Sequence, residues 1–396
     1  MKKIAAILAA ALAALSLAAC QNNAAAQGES TETTTAATEE ETGVHSLELK
    51  EENFKQLGRT YFADGKIYCA HSGTGVEFTF EGTSCTVTIE GDTNAGSPAS
   101  ADNYARAAVY VNGERKADEM IDAPAKTIEI SADGSETAVK IVKLSESAQS
   151  TYAISDITID GTNEKPTENK THLIEFIGDS ITCGYGVDDE DKDHHFATRT
   201  EDCTKAYAYK TAEKLDADYS LVSFSGHGII SGYSGDGNKV PSQIVPPYYD
   251  HIGYTWSRFE GFDPLALDWD FSAAREPDVI VINLGTNDDS YCKNKDDRCE
   301  EYRTEYINFV KQIREKNPNA KIIGTLGIMG QNLYPYVELA LTDYTKETGD
   351  TNVDFMMFDQ QNMNEDGIAA DWHPSEKTHE KAAEKLAAKI KESMNW

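Results

Sequence analysis

Through residues 46–159, short apolar runs alternate with polar positions and break at turn residues; beyond residue 170 the rhythm changes. In the first part, residues 76–80, 85–89, 107–111, 127–130, 138–142 and 154–159 are rich in β-branched and aromatic residues at every second position, the period of a half-buried strand. Glu81-Gly82-Thr83 and Asn112-Gly113 supply turns. No helical spacing intervenes. The pattern predicts an all-β antiparallel sandwich over residues 46–165, of jelly-roll type.

A polar, proline-containing stretch at residues 161–170 marks a boundary. After it, residues 174–177, 219–224, 278–284, 320–326 and 353–358 read as strands, and residues 204–215, 300–315, 334–346 and 375–393 as helices. Such alternation needs crossover connections. Residues 170–396 are therefore predicted to form an α/β domain, a parallel sheet with helices on both faces. Residues 231–271 interrupt it with Gly, Pro, Tyr and Trp and little periodicity, and a loop that long in a compact domain is expected to be functional.

The N-terminus adds two segments that do not belong to the fold. Lys2-Lys3, an apolar run over residues 4–17 and small residues before Cys20 make residues 1–19 an export signal, the run being shorter than the roughly 18–20 residues of a membrane span. Leu17-Ala18-Ala19-Cys20 resembles a bacterial lipobox, which implies a lipidated Cys20 and a cell-surface lipoprotein held to the membrane only by that lipid. Residues 20–45 lack the apolar surface to offset the entropy of ordering and read as a disordered tether.

A net charge of −31 argues against nucleic acid and anionic substrates, so a neutral glycan or small ester fits better. Six cysteines remain after Cys20; Cys292 with Cys299 and Cys183 with Cys203 are possible pairs, and the connectivity is open. The acidic run 188–191 lacks the spacing of a calcium loop and is read as solvated. No metal or cofactor is expected, and a monomer is.

The chemistry concentrates after strands. Ile174-Glu175-Phe176-Ile177 stops at Gly178-Asp179-Ser180, which puts Ser180 at the carboxyl end of a strand, where ligands of parallel sheets collect. Acyl transfer needs a nucleophile, a base and oxyanion donors. Ser180 supplies the first, and His373, in Asp371-Trp372-His373-Pro374 before the last helix, the second. Gly226 lets a backbone N–H approach the reacting carbonyl, and Asn287 in Gly285-Thr286-Asn287-Asp288 offers an amide. Trp256, Trp372 and Tyr185 are candidate sugar-contacting rings, with Trp269, Tyr233 and Tyr254 behind them.

These ordered blocks resemble the SGNH (GDSL-like) hydrolases, and with a β-sandwich in front, from Leu57-Gly58-Arg59-Thr60 onward, the second family of carbohydrate esterases. The resemblance covers nearly everything from Leu57 to the C-terminus. It implies a flavodoxin-like hydrolase domain behind a jelly roll, and a serine esterase that removes acetyl groups from acetylated neutral polysaccharides such as xylan or glucomannan, with preference for the sugar 6-position where available. It also implies Ser180 as nucleophile, His373 as base, and the Ser180 and Gly226 N–H groups with Asn287 as oxyanion hole. The superfamily places its triad acid three residues before the histidine, but position 370 is alanine and the acid is Asp371. Either Asp371 or a main-chain carbonyl orients His373. Other SGNH lipases, thioesterases or cell-wall deacetylases, or an inactive surface glycan binder, are the competing expectations.

Overall fold

The structure, a computed structural model, describes residues 43–396. The predicted export signal, Cys20 and the tether up to residue 42 lie outside the described residues. The tether reading is corrected at its end, because Gly43–Ser46 is a strand paired antiparallel with residues 158–161.

Two long strands, Gly75–Gly91 and Tyr152–Pro166, run through the centre of a ten-stranded antiparallel sheet. Gly75–Gly91 pairs with Glu136–Lys143 along its first half and with Ala125–Ser131 along its second, and this carries the sheet around one apolar core that includes Phe78, Phe80, Val87, Ile141 and Ile157. The sequence pattern predicted two strands with a turn at Gly82. A single strand forms because Gly82 lies against Gly161 of the neighbouring long strand, where a Cβ would stand 2.2 Å from the Asp160 carbonyl. The glycine permits a close crossing, not a turn. For the same reason the strand Tyr152–Pro166 continues past the expected boundary at Gly161.

Behind it, five parallel strands stand in the spatial order Ala217–Ser223, His172–Gly178, Val279–Asn283, Lys321–Leu326, Val353–Met357. Numbered along the chain this is 2-1-3-4-5, the flavodoxin-like order, whose switch point lies between the first and third strands. Val279–Asn283 is apolar through the sheet centre because it is covered twice, and His172–Gly178 is so except at Glu175. Asp296–Lys316 and Tyr334–Thr348 pack Tyr302, Tyr306, Phe309, Val337 and Leu341 on one face. Tyr207–Lys214 and Glu376–Met394 pack Tyr207, Ala208, Leu386 and Ile390 on the other.

The long segment 231–271 contains only one short helical turn, Pro246–Tyr248, and it is the mortar between the two layers. Its Phe262 stacks on Tyr68 of the sandwich with centroids 4.5 Å apart, and Ile252 joins the same cluster. Polar contacts add to this. Arg106 of the sandwich binds Asp188 at 2.7 Å, Arg115 binds Asp202 at 2.8 Å, and buried Arg59 pairs with Glu175 of the first parallel strand at 3.2 Å. The two domains form a single compact unit. Among the described residues all six cysteines are free and buried, and no helix is long and apolar enough to cross a membrane.

Candidate active site

Strand His172–Gly178 ends in Gly178, where a Cβ would meet the Thr182 hydroxyl at 2.0 Å, so the chain can turn tightly into the short helix Ser180–Cys183. Asp179 caps that helix, its Oδ1 accepting from the Ile181 N–H at 3.0 Å. Ser180 is left at the strand end, 6% exposed. Its Oγ lies 2.8 Å from His373 Nε2 although the two are 193 residues apart.

The other ring nitrogen decides the tautomer. His373 Nδ1 faces the Ala370 carbonyl at 3.2 Å, a pure acceptor, so Nδ1 carries the hydrogen and Nε2 is free to accept the Ser180 proton. Asp371 does not occupy that position, so of the two expected orienters it is the main-chain carbonyl that faces the ring, and the candidate catalytic role of Asp371 is corrected. Its Oδ2 accepts from the Tyr185 hydroxyl, and its Oδ1 lies 2.9 Å from His195 Nδ1. The cause is local backbone geometry. Asp371 (φ 49°) and Trp372 (φ 64°) are both left-handed, and the turn swings the Asp371 side chain outward while returning the Ala370 carbonyl to the imidazole. Hydrogen bonds from Asp371 N to the His194 carbonyl (3.0 Å) and from Ala369 N to the His373 carbonyl (2.9 Å) hold the turn. Tyr185 stacks on His373 at 3.9 Å between centroids and, through its hydroxyl, joins the ring to Asp371. The protein packed around His373 pushes its pKa down to about 4, against smaller upward pulls from the Ala370 carbonyl and the Asp371 charge.

Gly226 (φ 75°) follows strand Ala217–Ser223 and has open space where a Cβ would stand. Among the described residues, neither the Ser180 nor the Gly226 N–H donates to a backbone or side-chain acceptor. Asn287, at the start of helix Thr286–Cys292, donates one Nδ2 hydrogen to the His227 carbonyl at 2.8 Å; the other has only the Asp179 carboxyl at 3.5 Å. The next residue, Asp288, carries no signal of its role in the sequence beyond being an acid next to that amide. Its Oδ1 accepts from the N–H groups of Ile229, Ile230 and Ser231 at 3.0, 2.7 and 3.1 Å, and this fixes the loop beyond Gly226. Burial raises Asp288 to about 6 against these bonds, and raises Asp179 to about 7.

The aromatic candidates divide. Trp372 is 49% exposed and precedes His373, with Lys192 Nζ 4.8 Å from its ring centroid. Trp256 is 50% exposed and tilts over His227 at 6.2 Å, and Tyr254 stacks on Tyr248 at 4.3 Å. Tyr233 is exposed and linked to Gly226 by its N–H. Trp269 is elsewhere, beside Arg59 and lining a cavity with Phe271, Arg275 and Asp218 at the amino-terminal ends of the strands. The expected solvated run is ion-paired, Asp188 to Arg106 and Lys205, and Asp189 to His194.

A nucleophile bonded to a correctly tautomeric imidazole, with N–H groups unengaged beside it, is equipped for acyl transfer. The comparisons with known proteins agree with that chemistry. The family model described as GDSL-like Lipase/Acylhydrolase family matches residues 176–381, and the one described as Carbohydrate esterase 2 N-terminal matches residues 56–168. The chain is 32% identical over 352 residues to the cellulase/esterase CelE of Acetivibrio thermocellus, covering 86% of this chain but only 39% of that one. It is 25% identical over 359 residues to an acetylxylan esterase / glucomannan deacetylase of Cellvibrio japonicus, covering 89% and 92% respectively. A solved family two carbohydrate esterase from Clostridium thermocellum, in complex with cellohexaose, has a TM-score of 0.75 at 29% identity, covering 87% of this chain and 99% of that one. With residues 56–168 matched by one model and residues 176–381 by the other, the chain belongs to the GDSL-like lipase/acylhydrolase family and carries the N-terminal domain of carbohydrate esterase family 2.

Proposed function

We propose that the protein is a serine esterase that removes O-acetyl groups from neutral plant cell-wall polysaccharides, xylan and glucomannan among them, with preference for the sugar 6-position where the sugar has one. The single observation that carries this reading is the Ser180–His373–Ala370 relay, 2.8 and 3.2 Å long. In the first half-reaction Ser180 Oγ attacks the acetyl carbonyl carbon as its proton passes to His373 Nε2. The oxyanion formed there takes hydrogen bonds from the Ser180 and Gly226 N–H groups and from Asn287 Nδ2. Collapse breaks the bond to the sugar oxygen, which leaves with the proton from His373. Water, deprotonated by the same nitrogen, then releases acetate from Ser180.

Carbohydrate as the acyl carrier is supported by the names of the relatives and by the half-exposed Trp372 and Trp256, whose faces suit sugar rings. The charge of −31 suits a neutral glycan. The lipobox-like Leu17-Ala18-Ala19-Cys20 supports anchoring through Cys20, which a Cys20→Ser chain released from the membrane fraction would test. For the activity, acetate release is measured on acetylated glucomannan, acetylated xylan and acetylated peptidoglycan, with Ser180→Ala as control and NMR of the residual acetyl positions. Release from the plant glycans, lost in Ser180→Ala, is expected; release from peptidoglycan alone would overturn the substrate class.

A further inference from the structure

Loops normally run over the surface because their backbone polar groups need water. The sandwich segment between Glu136–Lys143 and Tyr152–Pro166 is an exception: Leu144, Ser145, Glu146, Ser147 and Ala148 are all buried. It runs beneath the acyl-transfer site. Glu146 Oε2 accepts from the Ser225 N–H at 2.6 Å, one residue before Gly226, and lies 3.7 Å from Sγ of Cys183, the last residue of the Ser180 helix. One carboxylate oxygen thus touches both short segments that carry the main-chain oxyanion donors.

We propose that Glu146 is a positioning residue for the oxyanion hole, supplied by the β-sandwich to the hydrolase domain. The inference rests on the esterase reading and deepens it. Its support is rigid. Lys143 Nζ, fully buried, donates to the Ser145 and Glu146 carbonyls at 2.7 and 2.9 Å, and the Glu146 N–H donates to Glu201 Oε2 at 2.8 Å. Cys183 is further tied to the Ser223 hydroxyl at 3.2 Å.

The alternative for this cluster is a cation, since Glu146, Cys183 and Glu201 hold ligand-type atoms within 4.8 Å of one another. Glu146 Oε2 is already engaged by donors, and Lys143 with Arg106 places positive charge beside the pair. Burial, reinforced by the neighbouring Glu146, pushes Glu201 well above the usual carboxylate range, and burial raises Glu146 too. Lys143 and Arg106 already supply the positive charge that a cation would bring.

The test compares Glu146→Ala, Glu146→Asp and Glu146→Gln with wild type on 4-nitrophenyl acetate, with melting temperatures measured alongside. A glutamine carbonyl can still accept the Ser225 N–H, whereas aspartate keeps the charge but draws the acceptor back by one methylene. Because misplacing a catalytic group by about 1 Å can cost about 100-fold, the Ala and Asp variants are expected to lose about 10- to 100-fold in kcat, with KM within about threefold. The Gln variant recovers most of that loss. Should the Ala variant fail to fold, the Asp–Gln pair carries the same expectation. An Ala variant within about twofold of wild type, a loss confined to KM, or an Asp variant as active as the Gln variant would overturn the proposal while leaving the esterase reading intact. A wild type that neither turns over the ester nor is labelled at Ser180 by a fluorophosphonate would instead overturn the esterase reading, and this inference with it.

Discussion

Replacing Asp371 by Asn separates two ways of holding the catalytic imidazole. In a triad, the acid grips the histidine N–H, and its loss costs about 10⁴ in kcat, about 5.5 kcal/mol of barrier. Here the grip on Nδ1 belongs to the Ala370 carbonyl, which the substitution leaves in place. Asn is also compatible with φ 49°, where Ala would be strained. What changes is the partner of Tyr185 and His195: a charge-assisted bond worth about 1.5–3 kcal/mol becomes a neutral one worth about 0.5–1.5 kcal/mol. That loss of about 1 kcal/mol reaches the imidazole only through the stacked Tyr185 ring, and the attraction of the Asp371 charge for the imidazolium adds to it. A kcat reduction of about tenfold is therefore expected in steady-state kinetics on 4-nitrophenyl acetate, with a melting temperature lowered by no more than about 2–4 °C. A folded Asp371→Asn variant that had lost a thousandfold or more would refute this reasoning and restore the acid to the triad.

Three further outcomes follow from the same geometry. Asn287→Ala removes one oxyanion donor and should cost about 2.7–4 kcal/mol of transition-state stabilisation, read as a fall in kcat of about 10²–10³; a change in KM alone would contradict it. Because burial holds His373 near 4 and the base acts when neutral, kcat/KM should keep its plateau down to about pH 5 and fall below it; an acid limb centred near 6.5 would show an ordinary, solvated histidine. Asp179, raised to about 7 by burial, keeps its proton in the folded state while the unfolded chain ionises near 3.8, so wild type loses stability as pH rises from about 4 to 7. Asp179→Asn keeps the cap without that titration, and its melting temperature relative to wild type should climb across the same window; parallel curves would count against the buried proton.

Strand and helix periods made the α/β layer readable, because each of its elements buries an apolar face with its own repeat. The long sandwich strand resembles two in sequence because Gly82 looks locally like a turn, and only its contact with Gly161 reveals a crossing. Ser180, Gly226, Asn287 and His373 were visible as blocks ending at strands or opening helices, positions fixed by topology. The orientation of His373 was not. It depends on two successive left-handed residues, Asp371 and Trp372, neither of them glycine, and no local propensity announces that pair. Glu146 left no signal either, since its role exists only once the sandwich is docked under the Ser225–Gly226 turn. Asp288 could have been suspected from an acid next to a donor amide, but its three N–H partners lie 57 to 59 residues away.

The left-handed pair has a consequence for anyone improving this protein by selection. Trp372 carries a large ring at φ 64°, a conformation that costs an L-residue about 1–2 kcal/mol and glycine almost nothing. A screen for heat resistance would reward Trp372→Gly, and the winner would have given up the half-exposed ring of the residue that precedes the base. On the proposed function, robustness and grip on the substrate are in opposition at this one residue, and rounds of selection that read only survival would drift toward sturdier chains that hold the glycan less well.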